Sequence, residues 1–179
     1  MSYAKKPVKH NTVFGTFVRN LQTDYIKSQR AGVIIYTLYE GTVYFCLGLD
    51  SRTHELTDFG GSVKYKTDKT PVIGALREFD EETLSIFDKI FPEDVADCPV
   101  LYDQNNMIIF IYMMVDPESV CKSFNANYKA VIDNGGKSEV CAVTWLTLED
   151  FQTLIKSEKP LYSRVRNFLR RAGDFSRLL

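Results

Sequence analysis

A mixed β-sheet held between helices, an α/β (α+β) sandwich, is the fold class predicted for this chain of 179 residues. Three observations predict it. Residues 31–39 and 42–49 are rich in Val, Ile, Tyr and Phe and flank Glu40-Gly41, the pattern of two antiparallel strands joined by a tight turn. Thr70-Pro71 then opens an amphipathic helix, and residues 106–115 return to an apolar run continuous enough for a central strand. A further strand at 140–146 is followed by a closing helix at 162–171, so strands and helices alternate as a sheet covered by helices requires.

The elements follow in order. Residues 1–12 are polar and contain Pro7, a loose leader or an early edge segment. Val13, Phe14, Phe17, Val18 and Leu21 have helical spacing, which predicts a short amphipathic element over 13–25. Residues 1–29 are therefore expected as an N-terminal segment packing on the core of one domain, 30–179. Residues 56–59 lead into Gly60-Gly61, a glycine loop whose paired residues permit backbone angles and close ligand approach that a side chain would block. At Thr70-Pro71, Thr caps the first free N–H groups and Pro fits the first helical position, so the helix begins near Pro71. Val72, Leu76, Phe79, Thr83 and Ile86 recur every three or four residues and draw its buried stripe. Residues 100–102 and 106–115 read as two more strands. In the last helix Val165, Phe168 and Leu169 line one side, Arg164, Arg166, Arg170 and Arg171 occupy others, and Gly173 terminates it.

Off the stripe of the first helix stand Glu78, Glu81 and Glu82, neighbours at helical spacing whose mutual repulsion is relieved by a cation among them. Hard carboxylate oxygens suit Mg²⁺ or Mn²⁺. The bland alternative is a solvated acidic face. Composition limits the rest. With 45% hydrophobic residues the chain supports one well-buried domain, and a net charge of −1 with a pI near 6.1 excludes indiscriminate nucleic-acid binding by a global basic field. Residues 107–115, the longest apolar stretch, are too short to cross a bilayer, and the N-terminus lacks the apolar core of a secretory signal, so no membrane partner and a cytoplasmic location are expected. Cys46, Cys98, Cys121 and Cys141 form no Cys-x-x-Cys pair and His10 and His54 add no ligand spacing, which argues against zinc or a disulfide framework and for buried free thiols.

Gly60-Gly61 followed by Arg77-Glu78-Phe79-Asp80-Glu81-Glu82 resembles the signature of the Nudix hydrolases: Gly, five residues, Glu, seven residues, then Arg-Glu-apolar-x-Glu-Glu-x-Gly-apolar. Arg77, Glu78, Phe79, Glu81 and Glu82 fit its second half. The spacing from Gly61 to Arg77 is two residues longer than the pattern, Lys69 stands where the first Glu is expected, and Leu84 replaces the glycine after the paired acids. With that glycine gone, another helical turn through Phe87 is expected. The resemblance covers roughly residues 30–170 and implies an alpha/beta/alpha sandwich with a mixed central sheet. It also implies that Glu78, Glu81 and Glu82 are direct ligands of Mg²⁺ or Mn²⁺ and that Arg77 orients the cluster. In the family the first Glu steadies the Arg; here Glu81 or Asp68 takes that part. The wider pattern, with Arg30-Ala31-Gly32 and Leu47-Gly48, is most similar to Nudix enzymes of large DNA viruses, which decap mRNA or cleave diphosphoinositol polyphosphates.

That resemblance implies a pyrophosphohydrolase acting on a phosphate-anhydride substrate, capped RNA first, in host cytoplasm if viral. A diphosphoinositol or dinucleoside polyphosphate hydrolase is the alternative within the class, and a degenerate module that binds RNA or protein without turnover is the alternative outside it. Glu139, just ahead of the strand at 140–146, sits where decapping relatives carry a base, and is otherwise a strand-edge charge. Lys64, Lys66 and Lys69 either meet substrate phosphates or are ordinary loop lysines, and the arginines of the last helix either follow an RNA backbone or solvate a helix face. Tyr39, Tyr65 and Phe124 are all aromatic faces on which a base could stack. Oligomeric state is not legible in the sequence.

Overall fold

In the computed structural model, which describes the strand Phe17–Val18 and residues 27–179, everything is built on β2 (Arg30–Tyr39). Its residues are buried on both faces: Ala31, Val33 and Ile35 enter one core and Ile34 and Tyr36 the other. β7 (Asn106–Tyr112) repeats the pattern, with Met107, Ile109 and Ile111 on the first side and Ile108 and Phe110 on the second. A strand covered on both faces reads as a continuous apolar run, which is why both were visible in the sequence.

β7 runs parallel to β2 from Arg30↔Asn106 to Tyr36↔Tyr112. The other edge of β2 is shared. Its second half, Ile35–Tyr39, pairs with β3 (Thr42–Asp50) through a hairpin whose Glu40 and Gly41 both have positive φ, 47° and 78°. Its first half, Arg30–Val33, pairs with β5 (Phe59–Ser62). β4 (Leu56–Thr57) pairs with Gly48 and Leu49 of β3, so the chain from 56 to 62 crosses from β3 to β2 at the place where those strands separate. β8 (Val140–Thr147) lies on the far edge of β3, β6 (Val100–Tyr102) on β7, and β1 (Phe17–Val18) on β6, completing an eight-stranded mixed sheet. One face carries α1 (Pro71–Glu82) and α2 (Pro117–Asp133) over Phe59, Phe79 and Phe124. The other carries α3 (Leu148–Lys156) and α4 (Ser163–Arg170) over Phe110, Phe168 and the pair Phe45 and Phe151, whose rings stack 4.5 Å apart. This is the helix-covered mixed sheet predicted above.

Several expectations are corrected. Gly60 and Gly61 are not in a turn but in β5, paired with Gly32 and Ala31 of β2. Thr70 caps α1 as expected, its hydroxyl accepting from the Ile73 amide at 3.3 Å. The helix does not reach Phe87. It stops at Glu82 because Thr83 Oγ1 donates to the Phe79 carbonyl at 2.6 Å and Leu84 and Ser85 turn left-handed, φ 56° and 54°. Leu84 thus adopts the conformation that favours glycine, at a cost of about 1 kcal/mol. The strand expected over 106–115 ends at Tyr112, since Asp116-Pro117 already begins α2. Within 13–25, Phe17–Val18 is strand rather than helix, and the rest of that expectation, with most of the proposed segment 1–29, lies outside the described residues.

Candidate active site

The floor of the site is made where β5 meets β2. A Cβ on Gly60 would lie 2.5 Å from Gly32 Cα, and one on Gly32 only 2.2 Å from Asp58 Oδ2. The absent side chains are what let Asp58 turn inward between the strands, where it is wholly buried. A buried carboxylate needs a partner. Arg30, itself buried, supplies it: Nη1 donates to Asp58 Oδ2 at 2.9 Å, Nη2 to Oδ1 at 2.6 Å, and Nη2 also to the Gly60 carbonyl at 3.1 Å. Thr57 Oγ1 donates a third bond to the Asp58 carboxylate, to Oδ1 at 3.0 Å.

Arg77 is the second organising group. Its Nε and Nη2 donate to the two oxygens of Asp68 at 2.8 and 3.0 Å, Nη1 to Glu78 Oε1 at 2.8 Å and Glu81 Oε2 at 3.3 Å, and Nη2 to the Ser62 carbonyl at 3.2 Å. Asp68 is buried and also accepts the Lys64 amide at 2.7 Å. The Arg77 bonds first, and that amide after them, hold the Asp68 carboxyl below the usual carboxylate range, while the carboxylates raise Arg77. Asp68, from the loop ahead of α1, therefore steadies Arg77. Both partners named for Arg77 from the sequence are used.

The three glutamates differ sharply. Glu78 lies against Gly61, where a Cβ would stand 2.7 Å from its Cδ, so the glycine is what allows that carboxylate to reach β5. Glu81 is the exposed member, its side chain 57% accessible. Glu82 is buried, and its Oε2 has no hydrogen-bond partner among the described residues. Burial first, then the charges of Asp58 and Glu78, push the Glu82 carboxyl up to about 9, against a smaller downward pull from Arg30 and the Gly60 backbone. Among the described residues no three His, Cys, Asp or Glu side chains are gathered closely enough to hold a metal ion. The donors nonetheless suit a hydrated hard cation, which takes only a few carboxylates: the orphaned buried oxygen of Glu82 beside two further acids is a group whose ionised form lacks a partner that a cation would supply.

Glu82 opens into a cavity of about 200 Å³ that Arg30, Gly60 and Glu139 also line. Glu139, separated from Glu82 by 57 positions, is thus brought to the same space, exposed at the foot of β8. Arg52, Thr53 and Tyr162, none of them singled out in the sequence, line it as well. The Asp50-x-Arg52-Thr53 turn carried a legible signal, since Asp is the residue that caps its own following amides; Tyr162 carried none. Lys64, Lys66 and Lys69 are exposed and none lines this cavity. Of the arginines on and after α4, Arg170 donates to the carbonyls of Ile155, Lys156 and Ser157 and so closes the end of α3, and Arg171 pairs with Asp103 at 3.7 Å. Phe124 is fully buried, Tyr65 donates to the Ser28 carbonyl at 2.6 Å, and Tyr39 sits at the opposite end of β2 from Arg30. A larger, mainly apolar cavity of about 390 Å³ lies against Phe79, Phe87 and Phe91 and includes Arg77 and Glu81 but neither Glu78 nor Glu82, whereas the smaller one holds Glu82 and Glu139 but none of Arg77, Glu78 and Glu81.

Neither a family model nor a curated protein sequence matches the chain. Among solved structures it is similar to the NUDIX domain of Shewanella oneidensis NrtR, solved with ADP ribose, at 14% identity over 86% of this chain and 89% of that one, with a TM-score of 0.49. It is similar to the C. elegans Ap4A hydrolase in a binary complex at 21% identity over 84% and 99% of the two chains, TM-score 0.48. A hydrolase of the NUDIX family from Clostridium perfringens shares 12% identity over 82% and 95%, TM-score 0.43. Likeness at this level concerns the course of the backbone and is silent about chemistry.

Proposed function

We propose that the chain is a Mg²⁺- or Mn²⁺-dependent pyrophosphohydrolase of the Nudix type, cleaving a diphosphate linkage in a nucleoside-linked substrate. The observation that carries this reading is the unpartnered buried oxygen of Glu82 beside Asp58 and Glu78, at the wall of a polar cavity. Glu78 and Glu82, with Glu81 from the solvent side, are the residues that would hold the metal. When bound, such a metal neutralises phosphate charge and lowers the pKa of water, the two things phosphoanhydride hydrolysis requires.

The chain's own residues do the rest. Arg77 holds Glu78 and Glu81 in place through a planar fork that Asp68 anchors from behind. Arg30 and Asp58 fix β5, and with it Gly60 and Gly61, against β2. Glu139, exposed in the cavity that Glu82 lines, is the group free to take a proton from the attacking water. Capped RNA, implied by the sequence resemblance, is the first substrate to try. The engagement of Arg170 and Arg171 within the protein lends no support to an RNA track along α4.

The test is a hydrolysis panel of capped RNA, a dinucleoside tetraphosphate and a diphosphoinositol polyphosphate, each with and without Mg²⁺ or Mn²⁺, run beside Glu82→Gln. Metal-dependent product that disappears in the variant supports the enzyme. Product that persists in Glu82→Gln overturns the assignment, and binding of these compounds without turnover assigns the chain to the non-hydrolytic class.

A further inference from the structure

The cavity beside Glu82 is lined by two guanidinium groups with opposite commitments. Arg30 makes three bonds, two to Asp58 and one to the Gly60 carbonyl. Arg52 makes none: among the described residues its side chain has no hydrogen bond and no ion pair, and its charge acts on Asp50. Yet its backbone is firmly held. Asp50 Oδ1 accepts the amides of Arg52 and Thr53 at 2.8 and 2.7 Å, and Ser51 ties the turn to the chain ahead of β8, its amide to the Glu139 carbonyl at 2.8 Å and its hydroxyl to the Ser138 carbonyl at 2.8 Å. A fixed turn thus presents an exposed guanidinium without a hydrogen-bond partner to a space whose other charged lining is Arg30, Asp50, Glu55, Glu82 and Glu139.

We infer that Arg52 is a specificity-determining residue that binds the phosphate beyond the scissile diphosphate, so that the cavity selects substrates carrying three or more phosphates. The inference rests on the pyrophosphohydrolase reading above. Volume favours it: at about 200 Å³ the cavity is smaller than the ~300–1,000 Å³ that enclose a drug-sized ligand, so it holds a phosphate chain and leaves the head group outside. Charge favours it too. Asp50, Glu55, Glu82 and Glu139 all line the cavity, an anionic chain among them needs a cation beside it, and Arg30 is already engaged by Asp58 and the Gly60 carbonyl. Asp50 is already turned to its own backbone amides, which leaves the Arg52 fork free for a phosphate.

The experiment compares dinucleoside diphosphate with dinucleoside tetraphosphate, identical in their nucleosides, by steady-state kinetics at saturating Mg²⁺. The wild type is expected to favour the longer chain by about tenfold to a hundredfold in kcat/KM, the range of a hydrogen bond to a charged group. Arg52→Gln is expected to raise KM for the tetraphosphate by the same factor at nearly constant kcat, Arg52→Lys to restore part of it, and Asp50→Ala, which frees the turn, to act in the same direction as Arg52→Gln. Equal kcat/KM for the two compounds in the wild type, or an equal loss on both in Arg52→Gln, overturns the role of Arg52 while the enzyme reading stands. Cleavage of neither compound overturns both.

Discussion

Glu82 makes the apo protein sensitive to pH in a direction opposite to that of an ordinary surface carboxylate. Its carboxyl ionises near 4.5 in the unfolded chain and at about 9 when folded. Between those values folding takes up a proton, so this group makes the folded state less stable as pH rises, by about 1.4 kcal/mol for each pH step, or roughly 4 kcal/mol by about pH 7.5. Its contribution is fully favourable below 4.5, lost progressively through the window, and constant above about 9. Glu82→Gln keeps the shape and removes the charge. The assay is urea unfolding of wild type and variant, both metal-free, at several pH values, with the difference in unfolding free energy plotted against pH. The variant should gain on the wild type steadily across the window, and saturating Mg²⁺ should flatten the wild-type slope by stabilising the ionised form. Parallel curves for the two proteins would refute the claim that burial and the neighbouring acids disfavour the ionised form of Glu82.

Other consequences are open to measurement. Gly61→Ala places a methyl carbon 2.7 Å from Glu78 Cδ and must displace that carboxylate; turnover should drop by about a hundredfold with unchanged circular dichroism, and full activity would show that Glu78 is not needed where it stands. Asp68→Ala removes two bonds to Arg77 and one to the Lys64 amide, so metal affinity measured by titration calorimetry should fall about tenfold to a hundredfold, and an unaltered affinity would exclude the anchoring role. Asp58→Ala leaves Arg30 charged and unpaired in the interior; chemical denaturation should report a loss of roughly 3–5 kcal/mol, and a loss below about 1 kcal/mol would contradict the burial of this pair. Thr70→Ala should cost only about 1 kcal/mol, the usual worth of a helix cap, and a neutral result would mean that Pro71 alone sets the start of α1.

The parts of this molecule that were legible in the sequence are those governed by local chemistry. β2 and β7 declared themselves by unbroken apolar runs, and α1 by Thr70-Pro71 and its stripe. α2 escaped notice although Asp116-Pro117 is a start signal, because only Val120 and Phe124 of its residues are buried and no broad stripe forms. α3 begins at Leu148 directly after β8 with no loop to mark the change. Gly60-Gly61 was read as a bend because glycine usually signals torsional freedom; here its missing Cβ matters instead, a property set by what lies across the strand. Arg77, the three glutamates, Asp68 and Glu139 were singled out from spacing and resemblance. Arg30, Arg52 and Tyr162 were given no site role, even though the turn holding Arg52 has a sequence signal, since they meet only after β2, the turn following β3 and the start of α4 have been brought together.

The parting of β3 from β2 has a mechanical side. Sheets resist shear along their ladders but yield where a ladder ends, and the chain from 56 to 62 is stitched across such a seam, with Asp58 at the crossing. Any flexing of the two half-sheets about that seam would carry Arg52 on one flap and Arg30 on the other, widening or narrowing the mouth into which Glu82 opens. The cavity beside Glu82 thereby lies across the line where the β2–β3 ladder ends, and a ligand bridging both flaps would act as a splint.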